Sequence, residues 1–325
     1  MKQDINLMNF LYCFDINYQK QSFSSILSLL NNVSVPVKIH IIHNDQKIPN
    51  NIPKIIKEHK FLSSIECYFF ELPNQIFPNI DNTHVSEATY FRIFINKYLN
   101  ENIRLITYLD GDTICISNPI EELKNAFRQM NKEQFVIAAK TELKKSEIVN
   151  FETLHYKAPE IPFVRLPIAE KYFNAGVMCI DLELWRENNI EETLLNVLNE
   201  HQKNLFNWDQ DVLNTVFNGN YTELKNSLNF YNVDIKKIDD LKDVNIIHFV
   251  GSKKPWNPSP KIGYSDYYYH YYFRLIDENF FHIIHKWKLK SIQYLFNSIF
   301  NLSILKIKYP ARYIIEFILS LIKKL

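Results

Sequence analysis

The stretch Arg104-Leu105-Ile106-Thr107-Tyr108-Leu109-Asp110-Gly111-Asp112 decides how this chain is read. An apolar run too short for a helix ends abruptly on two carboxylates flanking a glycine. That is the pattern of a buried strand whose carboxyl end opens onto a turn. Alternate side chains at a strand end point the same way, so Asp110 and Asp112 can converge on one hard cation. A plain Asp-Gly turn with solvated carboxylates fits the same residues, and the surrounding sequence has to decide between the two.

Upstream, strand and helix patterns alternate. Residues 8–14 form a short apolar run ending at Asp15, which predicts a first buried strand. Phe23, Ile26, Leu27 and Leu30 recur at helical intervals, and Val35, Val37, Ile39 and Ile41 alternate as a second strand would. A short helix after Pro53, a strand over 65–70 and a helix over 86–98 follow. Downstream, Pro119 sits where a helix would take its first turn, with Ile120, Leu123 and Phe127 on one face, and 135–139 reads as another strand. The alternation predicts an α/β fold: an open, mostly parallel sheet with helices on both faces. Ligands of such sheets gather at the carboxyl ends of the strands, where Asp15 and Asp110 both fall.

Residues 141–171 read as a loop or flap containing Pro159, Pro162 and Pro167. Beyond it come an apolar run (172–180), a helix near 190–200, a helix over 209–217, and strands near 228–231 and 244–250. The text changes after Trp256, becoming aromatic and then basic. A boundary is therefore expected near 257–265, with one domain over 1–260 and a helical region over 261–325.

The chain has 325 residues, 46% apolar and 22% charged, which excludes wholesale disorder and leaves ample chain for a core. Its 5 glycines exclude collagen-like or glycine-linker architecture. The four cysteines (Cys13, Cys67, Cys115, Cys179) stand singly, three of them in apolar runs, and read as free thiols of a reducing compartment. The first residues lack the features of a secretory signal, and no stretch of 18 uninterrupted apolar residues occurs. The expectation is a cytoplasmic protein. The net charge of +1 hides an asymmetry. Residues 280–325 carry eight Lys/Arg against one acid, Glu316, so this segment is at +7 and the rest at −6.

Three further groups could carry chemistry. His248 ends an apolar strand and is followed by Gly251, Lys253, Lys254, Pro255 and Trp256. Glycine allows close backbone approach and an ammonium neutralises phosphate, so the group suggests an anion site. Imidazole and carboxylates together suit Mn²⁺ or a similar ion. Trp208-Asp209-Gln210-Asp211 opens a helix, where acids also occur merely to complement the helix dipole. Tyr172-Phe173-Asn174-Ala175-Gly176-Val177 sets Asn and Gly inside an apolar run, which marks a bulge or a close backbone contact.

In this order the pieces resemble the family-8 retaining glycosyltransferases, sugar-nucleotide enzymes of the GT-A fold that include bacterial lipopolysaccharide and capsule hexosyltransferases. The matching residues are Phe14-Asp15-Ile16-Asn17-Tyr18, Ser86-Glu87-Ala88-Thr89-Tyr90-Phe91-Arg92, Tyr108-Leu109-Asp110-Gly111-Asp112, Phe173-Asn174-Ala175-Gly176-Val177, Asp209-Gln210-Asp211 and His248 to Trp256. The resemblance covers roughly residues 8–256. It implies that Asp110, Asp112 and His248 hold Mn²⁺, with Mg²⁺ the alternative, on the diphosphate of UDP-glucose or UDP-galactose. It implies that Gly251 and Lys254 contact the phosphates, that Asp15 and Asn17 hydrogen-bond uracil and ribose, and that Tyr18 stacks on the base. Arg92 and Asp209 would then bind donor-sugar hydroxyls, Asn174 would line the sugar pocket, and Gln210 would lie beside the anomeric carbon. Because an amide is a poor nucleophile, same-face attack is the favoured route to retention.

Two departures stand out. Ile16 replaces the second acid of the family's Asp-Asp-Asn-Tyr, and Thr141 followed by Glu142 stands where many members carry an Asp. Leu109-Asp110-Gly111-Asp112-Thr113 also matches the opening of haloacid-dehalogenase-like phosphatases, with Asp239, Asp240 and Asp243 imitating their distal acids. A non-catalytic sugar-nucleotide or glycan-binding module is the third reading. Against the phosphatase, about a hundred residues of βαβ precede the motif; against the binding module, both acids and the histidine are present. The basic, aromatic tail suggests a helix lying on an anionic membrane or packed on the domain, and the acidic body argues against a nucleic-acid partner.

Overall fold

Strand β1 (Met8–Cys13) runs between two parallel neighbours, β2 (Val37–His43) and β4 (Leu105–Leu109). Its side chains alternate between two cores: Phe10, Tyr12 and, just beyond it, Phe14 enter one, while Leu11 and Cys13 enter the other. A strand covered on both faces has no polar side, and so β1 is nearly all apolar. The computed structural model of the protein describes residues 8–71, 77, 86–144, 171–202, 205, 207–251, 254–256, 264–277, 288–306, 310–311, 314–315 and 317–318.

The main sheet has the order β3-β2-β1-β4-β7-β6-β8, with β3 at Leu62–Phe69, β6 at Ile137–Lys144, β7 at Lys171–Asp181 and β8 at Thr222–Glu223. The pairs β3/β2, β2/β1, β1/β4 and β6/β8 are parallel, and β7 alone runs antiparallel to both its neighbours, β4 and β6. A small second sheet joins β5 (Thr113–Cys115), β10 (Ile246–His248) and β9 (Phe230–Tyr231). The mostly parallel α/β sheet expected from the sequence is therefore present. Its direction of winding reverses between β1 and β4, and that is where a crevice opens at the carboxyl ends of an open sheet.

Helices cover both faces: α1 (Gln19–Asn32), α2 (Ile48–Asn51), α3 (Lys54–Lys57), α4 (Ile95–Tyr98), α5 (Ile120–Glu133), α6 (Leu182–Glu187), α7 (Ile190–His201) and α8 (Trp208–Phe217). In α1, Phe23, Ile26, Leu27 and Leu30 enter the core, each fully buried apolar side chain contributing about 1.5–3 kcal/mol. Its serines are buried as well, and their small side chains let α1 press on the turn after β4. Ser25 Oγ lies 2.9 Å from Thr113 Oγ1, and Ser28 Oγ accepts from the Cys115 amide at 2.9 Å.

Several boundaries differ from expectation. Residues 86–98 do not form one helix: a 3₁₀ helix, Glu87–Phe94, precedes α4, and Ser86 Oγ accepts from the Ala88 amide at its start. Residues 141–144, read as the start of a loop, extend β6 and pair with the beginning of β7. The rest of that expected loop, with its three prolines, lies outside the described residues. The aromatic helix α9 (Tyr264–Ile276) packs on α1, burying Tyr269, Tyr272 and Phe273 in the first core. Asn32 donates to the Tyr272 hydroxyl at 3.0 Å, His270 donates to the Pro255 carbonyl at 2.8 Å, and Lys20 pairs with Asp277 at 2.6 Å.

Helix α10 (Lys288–Phe300) leaves Leu289 and Phe300 more than four-fifths exposed. Among the described residues no helix is long and apolar enough to cross a membrane. All four cysteines are free, three of them buried, and burial pushes the Cys67 thiol up to about 11 and that of Cys179 to about 12.

Candidate active site

Asp110 and Asp112 stand at the end of β4 in a tight turn. The amide and hydroxyl of Thr113 both donate to the Asp110 carbonyl, at 3.2 and 2.8 Å. Gly111 fits because the turn is pressed onto α1: a Cβ there would lie 2.2 Å from Ser22 Oγ. The turn leads into β5, which pairs antiparallel with β10 and sets Thr113 opposite His248. The imidazole thereby reaches the two carboxylates, and ligand atoms of Asp110, Asp112 and His248 all lie within 4.8 Å of one another.

Asp112 is buried and asymmetric. Its Oδ2 accepts from Lys254 Nζ at 2.5 Å, while its Oδ1 has no hydrogen-bond donor among the described residues and lies 3.3 Å from His248 Nε2. Burial opposes its charge, but Lys254, and after it His248, hold the carboxyl well below the usual range. An ionised oxygen without a donor, beside a ring nitrogen and a second carboxylate, is a donor set that fits a divalent cation. Lys254 also donates to the Phe249 carbonyl at 2.6 Å, so it already has partners on the protein. Gly251 has φ +74°, and none of the described residues lies within 4 Å of where its Cβ would be. The left-handed turn requires glycine, and it leaves open space above the backbone.

Asp15 follows β1 on the adjacent strand. Its carboxylate accepts from the amides of Asn17 and Tyr18 at 2.9 and 3.1 Å and from Asn17 Nδ2 at 3.1 Å, folding the segment that starts α1. Tyr18 lies edge-to-face on Trp256 at 5.6 Å. Burial and then the charges of Asp112, Asp110 and Asp15 push its phenol well above the ordinary value. Ile16, which replaces the family's second acid, is exposed.

The other sequence candidates meet at a bulge in β7. The β6–β7 register jumps between Ala139, opposite Met178, and Lys140, opposite Asn174. Residues 175–177 thus lose their partners on β6, and buried amides must bond elsewhere. They bond to the site. The Ala175 amide donates to Gln210 Oε1 at 3.0 Å, and the Ala175 carbonyl accepts from Arg92 Nη1 at 2.7 Å. The Gly176 amide donates to Asn174 Oδ1 at 3.0 Å, and the Gly176 carbonyl accepts from the Asp110 amide at 2.8 Å.

Arg92 and Asp209, read from the sequence as sugar-binding residues, are buried and paired with each other. Thr89 also donates to Asp209, and Arg92 reaches Asp110 Oδ1 at 3.3 Å while stacking over the Tyr108 ring at 4.6 Å. Burial pushes the Asp209 carboxyl up against the pull of Arg92; for Arg92, burial is outweighed by Asp209, Tyr108 and Asp110 together, and its pKa rises. Gln210 donates through Nε2 to the Tyr172 hydroxyl and to Glu142, both at 3.1 Å. Tyr172 in turn donates to Asp211 at 2.6 Å. Glu142, noted in the sequence only as a neighbour of Thr141, is thus in contact with Gln210.

Sequence reading missed Asn229, and it quoted Tyr108 and Tyr172 within motifs without giving them a role. Tyr108 donates to Asp110 Oδ1 at 2.5 Å. Asn229, fully buried, joins Asn174 to His248, with 3.1 Å to Asn174 Oδ1 and 2.9 Å to His248 Nδ1. No local signal marks it, because both partners lie far along the chain.

This fold, an open sheet with one reversed strand and the acidic turn after β4, is that of the GT-A glycosyltransferases. The chain superposes on the galactosyltransferase LgtC solved with donor and acceptor sugar analogues with a TM-score of 0.61, covering 87% of this chain and 100% of that one at 19% identity. The Glycosyl transferase family 8 profile matches residues 9–259, and the chain belongs to that family. It is 28% identical over 290 residues to general stress protein A of Bacillus subtilis, covering 83% of this chain and 94% of that protein. It is 26% identical over 275 residues to a lipopolysaccharide 1,3-galactosyltransferase of Salmonella typhimurium, covering 78% and 74%. Family membership sets aside the phosphatase reading. Asp240, one of its distal acids, instead accepts from the amides of Lys236 and Lys237 at 2.8 and 3.0 Å in a surface turn.

Proposed function

We propose that this protein is a retaining hexosyltransferase that moves glucose or galactose from a UDP-sugar to a glycan of a surface polysaccharide or glycolipid. The observation that carries this reading is the convergence of Asp110, Asp112 and His248, with Asp112 Oδ1 left without a donor. These three residues would hold Mn²⁺, with Mg²⁺ the alternative. Bound there, the ion would neutralise the charge that develops on the departing diphosphate.

The chain's own groups take the remaining tasks. Lys254 and the open backbone at Gly251 bind phosphate. Asp15, Asn17 and Tyr18 form the nucleoside end of the crevice. Asn174 and the bulge beside it line the donor sugar. Arg92 and Asp209 hold the bulge and Asp110 in place, and sugar hydroxyls meet them at the pocket floor. Gln210 stands beside the anomeric carbon. Its Oε1 is occupied by the Ala175 amide, and this supports same-face attack over a covalent adduct.

We assign residues 1–260 to the glycosyltransferase domain and 261–325 to a helical region whose distal part lies on the membrane. Leu289, Phe296, Ile299 and Phe300 on α10 are exposed, as are Leu302 and Leu305 beyond it, and the segment from 280 carries +7. Apolar side chains at the interface with lysines at anionic headgroups make a peripheral anchor on the cytoplasmic face.

A donor screen tests the enzyme. Purified protein with Mn²⁺ and each UDP-sugar in turn, with and without glycan acceptors, is expected to release UDP from UDP-glucose or UDP-galactose. EDTA or Asp112→Ala is expected to stop it. Release unaffected by both would sink the metal assignment, and failure to bind any UDP-sugar would sink the reaction.

A further inference from the structure

The orientation of His248 can be traced from a group whose chemistry is not in doubt. The backbone amide of Gly176 can only donate, and it donates to the side chain of Asn174 at 3.0 Å. The atom it meets is therefore the amide oxygen, Oδ1. That oxygen also receives the side chain of Asn229 at 3.1 Å, and an acceptor can be met only by the NH₂ end of Asn229. The oxygen of Asn229 must then face the other way, where it lies 2.9 Å from Nδ1 of His248. An amide oxygen cannot donate, so Nδ1 carries the hydrogen. In the neutral ring, Nε2 is left with its lone pair, 3.3 Å from Oδ1 of Asp112.

We propose that Asn229 is a positioning residue that fixes His248 as the Nδ1–H tautomer and so presents Nε2 as a ligand atom. The proposal rests on the metal reading above, and it gives the Asn174-Ala175-Gly176 bulge a second task as the anchor of the relay. The surroundings hold the parts still. Asn229 is fully buried, and Lys140 donates to its carbonyl at 3.0 Å. One side of the imidazole is closed by the Gly176 backbone and another by the edge of Tyr231, with ring centroids 6.1 Å apart. A free neutral imidazole divides between two tautomers and can turn over. A ring whose other nitrogen is bonded to a fixed acceptor does neither.

The first test needs no metal. Long-range ¹H–¹⁵N spectra of ring-labelled protein at pH 8.5 report which nitrogen of each histidine bears the hydrogen, and His248→Gln identifies the signals of His248. Nδ1–H is expected. A ring protonated on Nε2 overturns the proposal. In Asn229→Leu the ring should shift towards the Nε2–H form, and Mn²⁺ affinity measured by calorimetry should fall about 10–100-fold. Asn229→Asp keeps an acceptor for Nδ1, and it should restore the tautomer and most of the affinity even though its link to Asn174 is lost.

Equal tautomer and equal affinity in wild type and Asn229→Leu would overturn the proposal. So would a loss in Asn229→Leu that Asn229→Asp fails to rescue while melting like the wild type, because that is the result of a merely structural residue. A wild-type protein that shows the Nδ1–H ring but binds no Mn²⁺ or Mg²⁺ would instead sink the metal reading, a distinguishable result.

Discussion

Gly176 and His248 occupy ground that a single methyl group would contest. A Cβ built on Gly176 would lie 2.1 Å from Cε1 of the imidazole and 2.8 Å from each ring nitrogen. Both sit in rigid surroundings, a bulge tied to Arg92 and Gln210 on one side and β10 on the other. Gly176→Ala is therefore expected to displace the imidazole rather than the strand. The cost of overpacking is about 1–3 kcal/mol. Mn²⁺ affinity should drop at least tenfold while the circular dichroism spectrum stays that of the wild type. A variant that binds Mn²⁺ and UDP normally would show that the ring can move aside without consequence.

The ion pair of Arg92 and Asp209 yields a stability prediction. Removing one partner leaves the other charged and buried, at a cost of about 3–5 kcal/mol. Asp209→Ala and Arg92→Met should each lower the denaturant midpoint sharply. The double variant should recover part of the loss, because it leaves no lone charge. Activity should vanish in Arg92→Met and in the double variant, where the Ala175 carbonyl and Asp110 lose Arg92, and should fall in Asp209→Ala, where Arg92 loses the partner that fixes it. Single variants as stable as the wild type would mean that the pair is hydrated in solution.

Gln210 separates chemistry from binding. If it acts mainly on the charge that develops at the anomeric carbon, Gln210→Ala should lower kcat much more than it raises the donor KM. Glu142→Gln keeps an acceptor for the Gln210 amide and should be mild, whereas Glu142→Ala frees that amide and should cost more. A normal kcat in Gln210→Ala would remove this residue from the reacting centre.

The tail is tested by cutting the chain after Asp277, so that α9 keeps its packing on α1. The shortened protein should stay folded, bind UDP with Mn²⁺, and lose affinity for anionic vesicles. Binding of the full chain to vesicles should weaken as salt is raised, because screening shortens the reach of the basic charges. Activity on a small glycan acceptor should survive the cut, and activity on a lipid-linked one should fall. Full-length protein that ignores anionic vesicles at low salt would end the anchor proposal.

Much of this was legible in the sequence because the decisive features are local. The run before Asp110 announces a buried strand, the glycine between two acids announces the turn, and periodicity placed α1, α5 and α8 within a few residues. What the sequence concealed is non-local. The reversed direction of β7 is set by pairing with β4 and β6, and its apolar residues read the same either way. Asn229 looked like part of a strand because its partners, Asn174 and His248, lie 55 and 19 residues away. Arg92 and Asp209 were recognised as site residues, but nothing in their spacing shows that they satisfy each other 117 residues apart.

The charges of the crevice bear on the sequence in which its occupants arrive. Arg92 and Lys254 bring two positive charges to the three carboxylates of Asp110, Asp112 and Asp209, so the cluster is negative even before Asp15 is counted. A diphosphate arriving alone meets that negative field, and a divalent ion arriving alone must compete with Lys254 for Asp112. Together they relieve each other's difficulty, and linkage requires each to raise the affinity of the other by the same factor. On the proposed function, the crevice would act as a coincidence detector, taking nucleotide and cation as a pair and holding neither firmly by itself. Calorimetric titration of UDP with and without Mn²⁺ measures that factor, and an unchanged UDP affinity would show that this balance of charges is wrong.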